Sequence, residues 1–185
     1  GHNIAIRKSN CKYVVWAMID DRKSTDGIEA LYNEIKNNNS IELVYGDCLV
    51  TNKKHETPET TESEILAEHS RMPFSKQNMI KCLPGPMPMW RKRLHEKCGF
   101  FDEIRHDFSD DWDLWLRAVN NGCQFKKVER VIGLYLEGGR SQWENNLEQR
   151  KEEAEIFFKN SHIFGDNFFK YQAYFAQFVE NNDKS

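Results

Sequence analysis

The sequence predicts an α/β fold, because a strand, a helix and a second strand follow one another near its start. The apolar run Tyr13–Ile19 indicates a buried strand that stops at charged residues. Apolar side chains at helical spacing predict a helix over Asp26–Asn37. Ile41–Val50 is a second apolar run, interrupted at Gly46-Asp47. This order is typical of a sheet with parallel strands and flanking helices.

The middle of the chain is predicted to be a long surface loop followed by a short helix. Thr51–Ser75 is polar, and a short helix around Glu62–His69 is its one regular element. Leu83–Pro88 is rich in proline and predicts a rigid, extended stretch. A helix over Lys92–Lys97 is expected to end at Gly99.

Two more elements complete the predicted α/β core, and a helical extension follows it. Tryptophan and aliphatic side chains at helical spacing predict an amphipathic helix over Asp110–Asn121, and Phe125–Leu136 is the last predicted strand. We place the core at residues 3–141 and the C-terminal extension at 142–185. The aromatic segment His162–Glu180 is expected to pack back on the core or, alternatively, to form a homo-oligomer or partner surface.

Composition excludes several classes of protein. The chain has 26 basic and 29 acidic residues and a net charge of −3, which argues against a nucleic-acid binder. No apolar run approaches the roughly 20 residues that a transmembrane helix needs, and no secretory signal pattern is present at the start. The five cysteines are scattered, so we expect reduced thiols and a cytoplasmic location rather than zinc or disulfides.

The first candidate site is the acidic pair Asp20-Asp21, which follows the first predicted strand. In open α/β sheets, ligands bind beyond the carboxyl ends of the strands. Carboxylate oxygens are the ligands that Mg²⁺ and Mn²⁺ prefer. The alternative is a solvated turn in which an aspartate caps the next segment.

The second candidate site is the acidic pair Asp110-Asp111, which begins the tryptophan-containing helix. The amides at a helix N-terminus would hold a carboxylate ionised and fixed, ready to act as a general base. The alternative is a helix N-cap formed by Ser109 or Asp110. The histidines show no metal-binding spacing, and His106 is the one that lies near this pair in the sequence.

Several short motifs occur together in an order that is more specific than either acidic pair. After Asp20-Asp21 they are V-Y-G-D at Val44–Asp47, G-P-M-P-M-W-R at Gly85–Arg91, C-G-F-F-D-E at Cys98–Glu103 and S-D-D-W-D-L-W-L-R at Ser109–Arg117. Over most of the predicted core the chain resembles the inverting glycosyltransferases of family 2. The resemblance implies a truncated GT-A fold, which is a Rossmann-like three-layer sheet with flanking helices.

The resemblance also implies a reaction and its donor site. A sugar would pass from a nucleotide-sugar donor to a hydroxyl of a carbohydrate or other acceptor. Asp20, Asp21 and Arg22 would bind the donor, and Asp21 with Asp20 would hold Mn²⁺ or Mg²⁺ beside the departing diphosphate.

The remaining roles implied by the resemblance concern the base and the acceptor. Asp111 corresponds to the catalytic base, and Asp110 stands where the family has a glutamate. Trp90, Arg91 and Trp112 would border the acceptor.

Two departures from the family pattern leave alternatives open. The strands that hold the nucleotide base in the family have no counterpart before Asn3, which suggests a piece of a longer protein. The metal-binding histidine that follows the last strand is also missing, and Glu137 is its candidate replacement. One alternative is therefore a catalytically silent glycosyltransferase-like binding or scaffold module. A metal-dependent phosphoester hydrolase is a third hypothesis.

Overall fold

A computed structural model describes residues 1–16, 18–138 and 147–179. Within these residues, five strands form one sheet in the order β1-β4-β3-β5-β2. The strands are β1 (Tyr13–Val15), β2 (Arg22–Lys23), β3 (Ile41–Thr51), β4 (Met89–Arg91) and β5 (Gln124–Leu136). Because β4 is antiparallel to both β1 and β3, and β3 is parallel to β5, strands β1, β3 and β5 all end at one edge of the sheet.

Helices flank this sheet, which confirms the predicted α/β class. They are α1 (His2–Lys8), α2 (Gly27–Asn37), α3 (Leu94–Cys98), α4 (Asp110–Asn120), α5 (Leu147–Lys159) and α6 (Asp166–Val179). Short 3₁₀ turns occur at His69–Arg71, Gln77–Ile80 and Ser161–Ile163. In the described part of the chain, no helix combines the length and the apolar character that crossing a bilayer requires.

Most of the predicted elements recur, strands β2 and β4 are additional, and two predicted elements differ. Strand β1 ends at Val15, several residues earlier than predicted. The helix predicted around Glu62–His69 is wrong, because Leu66 forms an isolated bridge with Leu49 of β3. The amide of Val50 donates to the carbonyl of Ile65 at 2.8 Å. The segment around Leu66 therefore pairs with β3, because its local preference for a helix is weak. The interruption predicted in the second strand is confirmed as shifts of the β3–β5 register around Asp47.

The two faces of the sheet carry two hydrophobic clusters. Along β3, Leu43 and Tyr45 belong to the larger cluster, whereas Val44 and Cys48 belong to the smaller one. This alternation follows from the two-residue repeat of a strand. The smaller cluster is closed by α2, and the larger one is closed by α4 and the C-terminal helices.

The C-terminal extension packs back on the core, which is the first of the two predicted arrangements. Phe157 of α5 is fully buried, and its ring stacks against Phe175 of α6 with centroids 4.3 Å apart. Trp112 of α4 stacks against Phe164 at 6.3 Å. The extension therefore supplies part of the larger hydrophobic cluster. A homo-oligomer through α6 stays a prediction.

Gly133 of β5 allows the close approach of three segments, and its substitution provides a test of the sheet. It pairs with Cys48 of β3 and with Lys23 of β2. A Cβ at this position would overlap Met87 Sδ and lie 2.7 Å from the carbonyl oxygen of Arg22. We expect Gly133→Ala to lower the free energy of unfolding by about 1–3 kcal/mol. Urea unfolding measures the loss, and Gly1→Ala, whose Cβ would have no neighbour within 4 Å, is the control.

Candidate active site

A cleft of about 210 Å³ lies at the edge where β3 and β5 end. Its lining consists of Asp20, Arg22, Thr51, Lys53, Lys54, His55, Glu56, Leu134 and Leu136. Two residues predicted to bind the donor, Asp20 and Arg22, therefore lie in one concave site. This location is where open α/β sheets bind their ligands.

Asp21 lies beside the cleft in a partly buried position. Its Oδ1 accepts a hydrogen bond from the amide of Leu136 at 3.4 Å. Burial raises the pKa of Asp21 to about 6, and the neighbouring Asp20 also raises it, while Lys23 and Arg22 act in the opposite direction. Removal from water thus disfavours the ionised carboxylate, and a bound cation would favour it.

Arg22 stabilises the turn that carries the first acidic pair. One guanidinium nitrogen, Nη1, donates to the carbonyl oxygens of Ile19 at 2.8 Å and of Asp21 at 3.0 Å. The side chain therefore sets the shape of this turn as well as lining the cleft.

The loop after β3 forms a preorganised wall of the cleft. The carboxylate of Glu56 accepts hydrogen bonds from Thr51 Oγ1 at 2.6 Å and from Thr61 Oγ1 at 2.9 Å. These bonds, together with Lys53, lower the pKa of Glu56. His55 has a positive φ of 71°, which is uncommon outside glycine.

In the sequence, these cleft-wall residues are recognisable only as part of a predicted loop. The signal that could have identified them is the basic cluster Lys53-Lys54-His55 directly after a strand. Its closeness to the first acidic pair depends on the pairing of β3 with β5, which no local pattern reveals.

Asp111 of the second acidic pair is held by two hydrogen bonds. Its Oδ1 accepts from the amide of Trp112 at 2.6 Å, and its Oδ2 accepts from Cys82 Sγ at 3.3 Å. Burial nevertheless raises the pKa of Asp111, although both hydrogen bonds act to lower it. Burial thus opposes the helix amides that are expected to hold this carboxylate ionised, and its ionised state stays a prediction.

Asp110 lies next to Asp111 and shares its environment. Burial raises the pKa of Asp110 to about 7, and the negative charge of Asp111 is the next contribution in the same direction. Glu103 and Glu152 raise this pKa further. Ser109 is the N-cap of α4 but makes no side-chain cap hydrogen bond, so a capping role for its hydroxyl is not observed.

The order of the strands indicates where the two acidic pairs lie relative to each other. Val15 of β1 lies opposite Met89, the first residue of β4, so the segment entering β4 lies at the edge where β1 ends. Cys82, which bonds Asp111, precedes that segment in the chain. The hydrogen bonds of residues 1–16, 18–138 and 147–179 do not join the pairs directly, and their convergence on one substrate stays a prediction.

The first acidic pair fits one kind of divalent metal site. In the described ranges, His, Cys, Asp and Glu side chains form no cluster of three or more that could hold a metal ion. Magnesium, however, often binds through one or two protein carboxylates and completes its shell with substrate phosphates. Glu137, the other candidate ligand, follows Leu136 and donates its amide to the carbonyl of Thr51 at 2.8 Å.

The two tryptophans predicted to border the acceptor instead belong to the core. Trp90 is fully buried, and its Nε1 donates to His95 Nε2 at 2.9 Å. Trp112 is 5% exposed, and its Nε1 donates to the carbonyl of Met79 at 2.8 Å. Their apolar surfaces and their polar atoms are already engaged, so we correct their assignment to a structural one.

Arg91 also has a structural role rather than the predicted role in acceptor binding. Its guanidinium donates to the carbonyl oxygens of Ile41 at 2.8 Å and Asn38 at 3.1 Å, and it also bonds that of Ile35. The side chain is 8% exposed. Arg91 therefore joins the end of α2 to the start of β3.

The five cysteines are free thiols in the structure. Cys98 and Cys123 are buried, and their sulfur atoms lie 4.0 Å apart. Cys48 is buried as well, and burial raises its pKa to about 12. These positions agree with the expected packing role of the thiols.

Comparison with known proteins identifies the fold. No family model and no curated protein matches the sequence. Among solved structures, S. aureus TarS 1-349 matches with a TM-score of 0.59 and 11% identity, over 88% of this chain and 47% of that one. The same protein in complex with UDP-GlcNAc matches with a TM-score of 0.60 and 11% identity, over 89% and 50%.

A third structure, S. aureus TarS, matches with a TM-score of 0.57 and 11% identity, over 85% of this chain and 26% of that one. The chain thus spans half the length of these structures or less. At this identity the likeness concerns the fold alone. The chain has a partial glycosyltransferase-like fold of the Rossmann-related kind.

Proposed function

We propose that this chain carries the catalytic carboxylates of an inverting, metal-dependent glycosyltransferase. It would transfer a sugar from a nucleotide-sugar donor to a hydroxyl of a carbohydrate or other acceptor. The main support is the cleft at the strand ends, which holds Asp20 and Arg22 in a fold like that of a structure bound to UDP-GlcNAc.

The cleft has the chemistry that a sugar diphosphate requires. Arg22, Lys53 and Lys54 supply positive charge and hydrogen-bond donors to the lining. Such groups bind phosphate oxygens strongly. The carboxylate of Asp20 is suited to accept hydrogen bonds from sugar hydroxyl groups or to bind a cation.

Asp21 and Asp20 would hold Mn²⁺ or Mg²⁺, which when bound supplies positive charge next to the diphosphate. The raised pKa of Asp21 supports this assignment, because a buried carboxylate gains the most from an added cation. Arg22 keeps the turn in place through its bonds to Ile19 and Asp21.

Asp111 is the proposed general base. It would take the proton of the acceptor hydroxyl, whose oxygen then forms a bond to the anomeric carbon as the bond to the diphosphate breaks. Attack opposite the leaving group inverts the configuration. A carboxylate with a raised pKa is a better proton acceptor near neutral pH, and the bonds from Cys82 and Trp112 orient it.

A second candidate is a glycosyltransferase-like binding module without catalysis. The observation that favours it is that, in the described ranges, His, Cys, Asp and Glu side chains form no cluster of three or more that could hold a metal ion. A cleft that binds its ligand through Arg22, Lys53 and Lys54 needs no metal.

A thermal-shift titration with UDP, with and without Mn²⁺, tests the donor site. UDP at 100 times its dissociation constant is expected to stabilise the protein by about 2.7 kcal/mol. We expect the shift to require Mn²⁺ and to be lost in Asp20→Asn, but to persist in Glu155→Gln, which changes an exposed acid outside the cleft lining. A shift independent of Mn²⁺ would contradict the metal assignment. The absence of any shift with UDP, ADP, GDP or CDP would contradict the donor site.

A further inference from the structure

Glu152 of α5 binds three consecutive backbone amides in the turn before α4. Its Oε1 accepts from the amide of Asp107 at 2.9 Å, and its Oε2 accepts from the amides of Phe108 at 3.0 Å and Ser109 at 3.1 Å. Hydrogen bonds from amides to a carboxylate are stronger than those between neutral groups. This carboxylate therefore fixes the turn from the helical extension.

The rest of α5 and the turn after it hold α4 along its length. Lys159 Nζ lies 3.1 Å from Asp113 Oδ1 in the first half of α4. The ring nitrogen Nε2 of His162 lies 2.9 Å from Asn120 Oδ1 at its end. These contacts extend from the turn before α4 to Asn120 at the end of α4. The position of α4 therefore depends on α5 and on the turn that follows α5.

Glu152 also acts on the second acidic pair electrostatically. The turn that it binds leads directly into Asp110-Asp111. Its negative charge raises the pKa of Asp110, together with burial, Asp111 and Glu103, and the neighbouring Glu153 raises that of Asp111. The bound amides are no longer available to stabilise either aspartate as an anion.

We propose that Glu152 is a positioning residue for the catalytic pair, which fixes the place of Asp110 and Asp111 from the helical extension. This inference rests on the proposed function, because it takes Asp111 as the base. It makes the extension a component of the active site rather than an appendage to the core.

Glu152→Gln in the full chain provides the test, because it removes the charge and one acceptor while keeping the size of the side chain. We expect the pKa of Asp110, measured by carboxyl ¹³C NMR, to fall. We also expect kcat to fall about 10–100-fold with the donor KM unchanged. Glu155→Gln, at an exposed position of the same helix, is the control and should change none of these quantities.

A second variant separates charge from position. Glu152→Asp keeps the charge but withdraws it by one methylene, so we expect a lowered kcat with a pKa of Asp110 closer to that of the wild type. If Glu152→Gln does not fold, Glu152→Asp is the test by itself. A wild-type kcat of Glu152→Asp then overturns the inference.

The outcomes for the two proposals are distinguishable. An unchanged titration of Asp110 in a folded Glu152→Gln protein, measured by NMR without substrate, overturns the inference whatever the activity. Absence of sugar transfer by the wild-type protein overturns the proposed function instead.

Discussion

Replacing Asp111 by asparagine is expected to lower the rate of sugar transfer by about 10²–10⁴-fold. The asparagine oxygen can still accept the hydrogen bond that the Trp112 amide donates to Oδ1, so the start of α4 should keep its geometry. The amide cannot take a proton from the acceptor hydroxyl, and this loss removes the proposed chemistry. Product formation from a nucleotide sugar measures the rate, and the thermal shift with UDP should be unchanged.

The pH dependence of the wild-type protein provides a check on the same assignment. A base must be ionised to accept a proton, and burial raises the pKa of Asp111. Transfer should therefore decline as the pH falls through that raised value, which lies above the ordinary range of an aspartate. Asp102→Asn, in the segment between α3 and α4, is a control that should retain activity. Full transfer by Asp111→Asn would show that the base is another group, with Asp110 the next candidate.

Replacing Phe157 by alanine is expected to lower the free energy of unfolding by about 3–5 kcal/mol. Its ring is fully buried between α4, α6 and the turn that joins α5 to α6. It stacks against Phe164 at 5.4 Å, Phe168 at 5.0 Å and Phe175 at 4.3 Å. Truncation would leave a cavity in the middle of this aromatic stack, because its rigid neighbours can collapse only partly. Chemical unfolding followed by tryptophan fluorescence measures the change.

Phe169 is the matched control for Phe157, since the two side chains are identical and differ in burial. Phe169 lies on α6 and is 74% exposed, so Phe169→Ala should change the free energy of unfolding by less than about 0.5 kcal/mol. A separate early transition for the extension, with the core transition unaffected by Phe157→Ala, would contradict a single cooperative unit. Such a result would also weaken the argument that α5 positions α4.

Sequence patterns predicted the types of the main elements correctly. Helix α4 was expected at Asp110–Asn121 and is observed at Asp110–Asn120, because its apolar spacing and its terminating Gly122 are local signals. The helix expected around Glu62–His69 is absent, since that segment bonds to the end of β3 instead.

The predictions about the site differ in the same way, because some rest on local patterns and others depend on packing. Asp20 and Arg22 line the cleft, and the sequence indicates them because charged residues that follow an apolar strand are a local pattern; donor binding by Asp20, Asp21 and Arg22 stays a prediction. The acceptor assignment of Trp90, Arg91 and Trp112 was wrong, because a tryptophan or arginine beside a proline-rich loop has the same local pattern whether it faces a cleft or the core. Their burial is a property of the packed protein.

By itself, the sequence determined the order of strands β1, β3 and β5 and of the helices between them, and it showed the two acidic pairs, since these features depend on neighbouring residues. Tertiary structure decided which strands lie side by side, and hence that the basic loop after β3 meets the turn after β1 in one cleft. It also decided that Glu152 binds the turn before α4, across a separation of 45 residues from Asp107. Contacts of this kind depend on long-range packing of apolar faces, whose partners no local periodicity specifies.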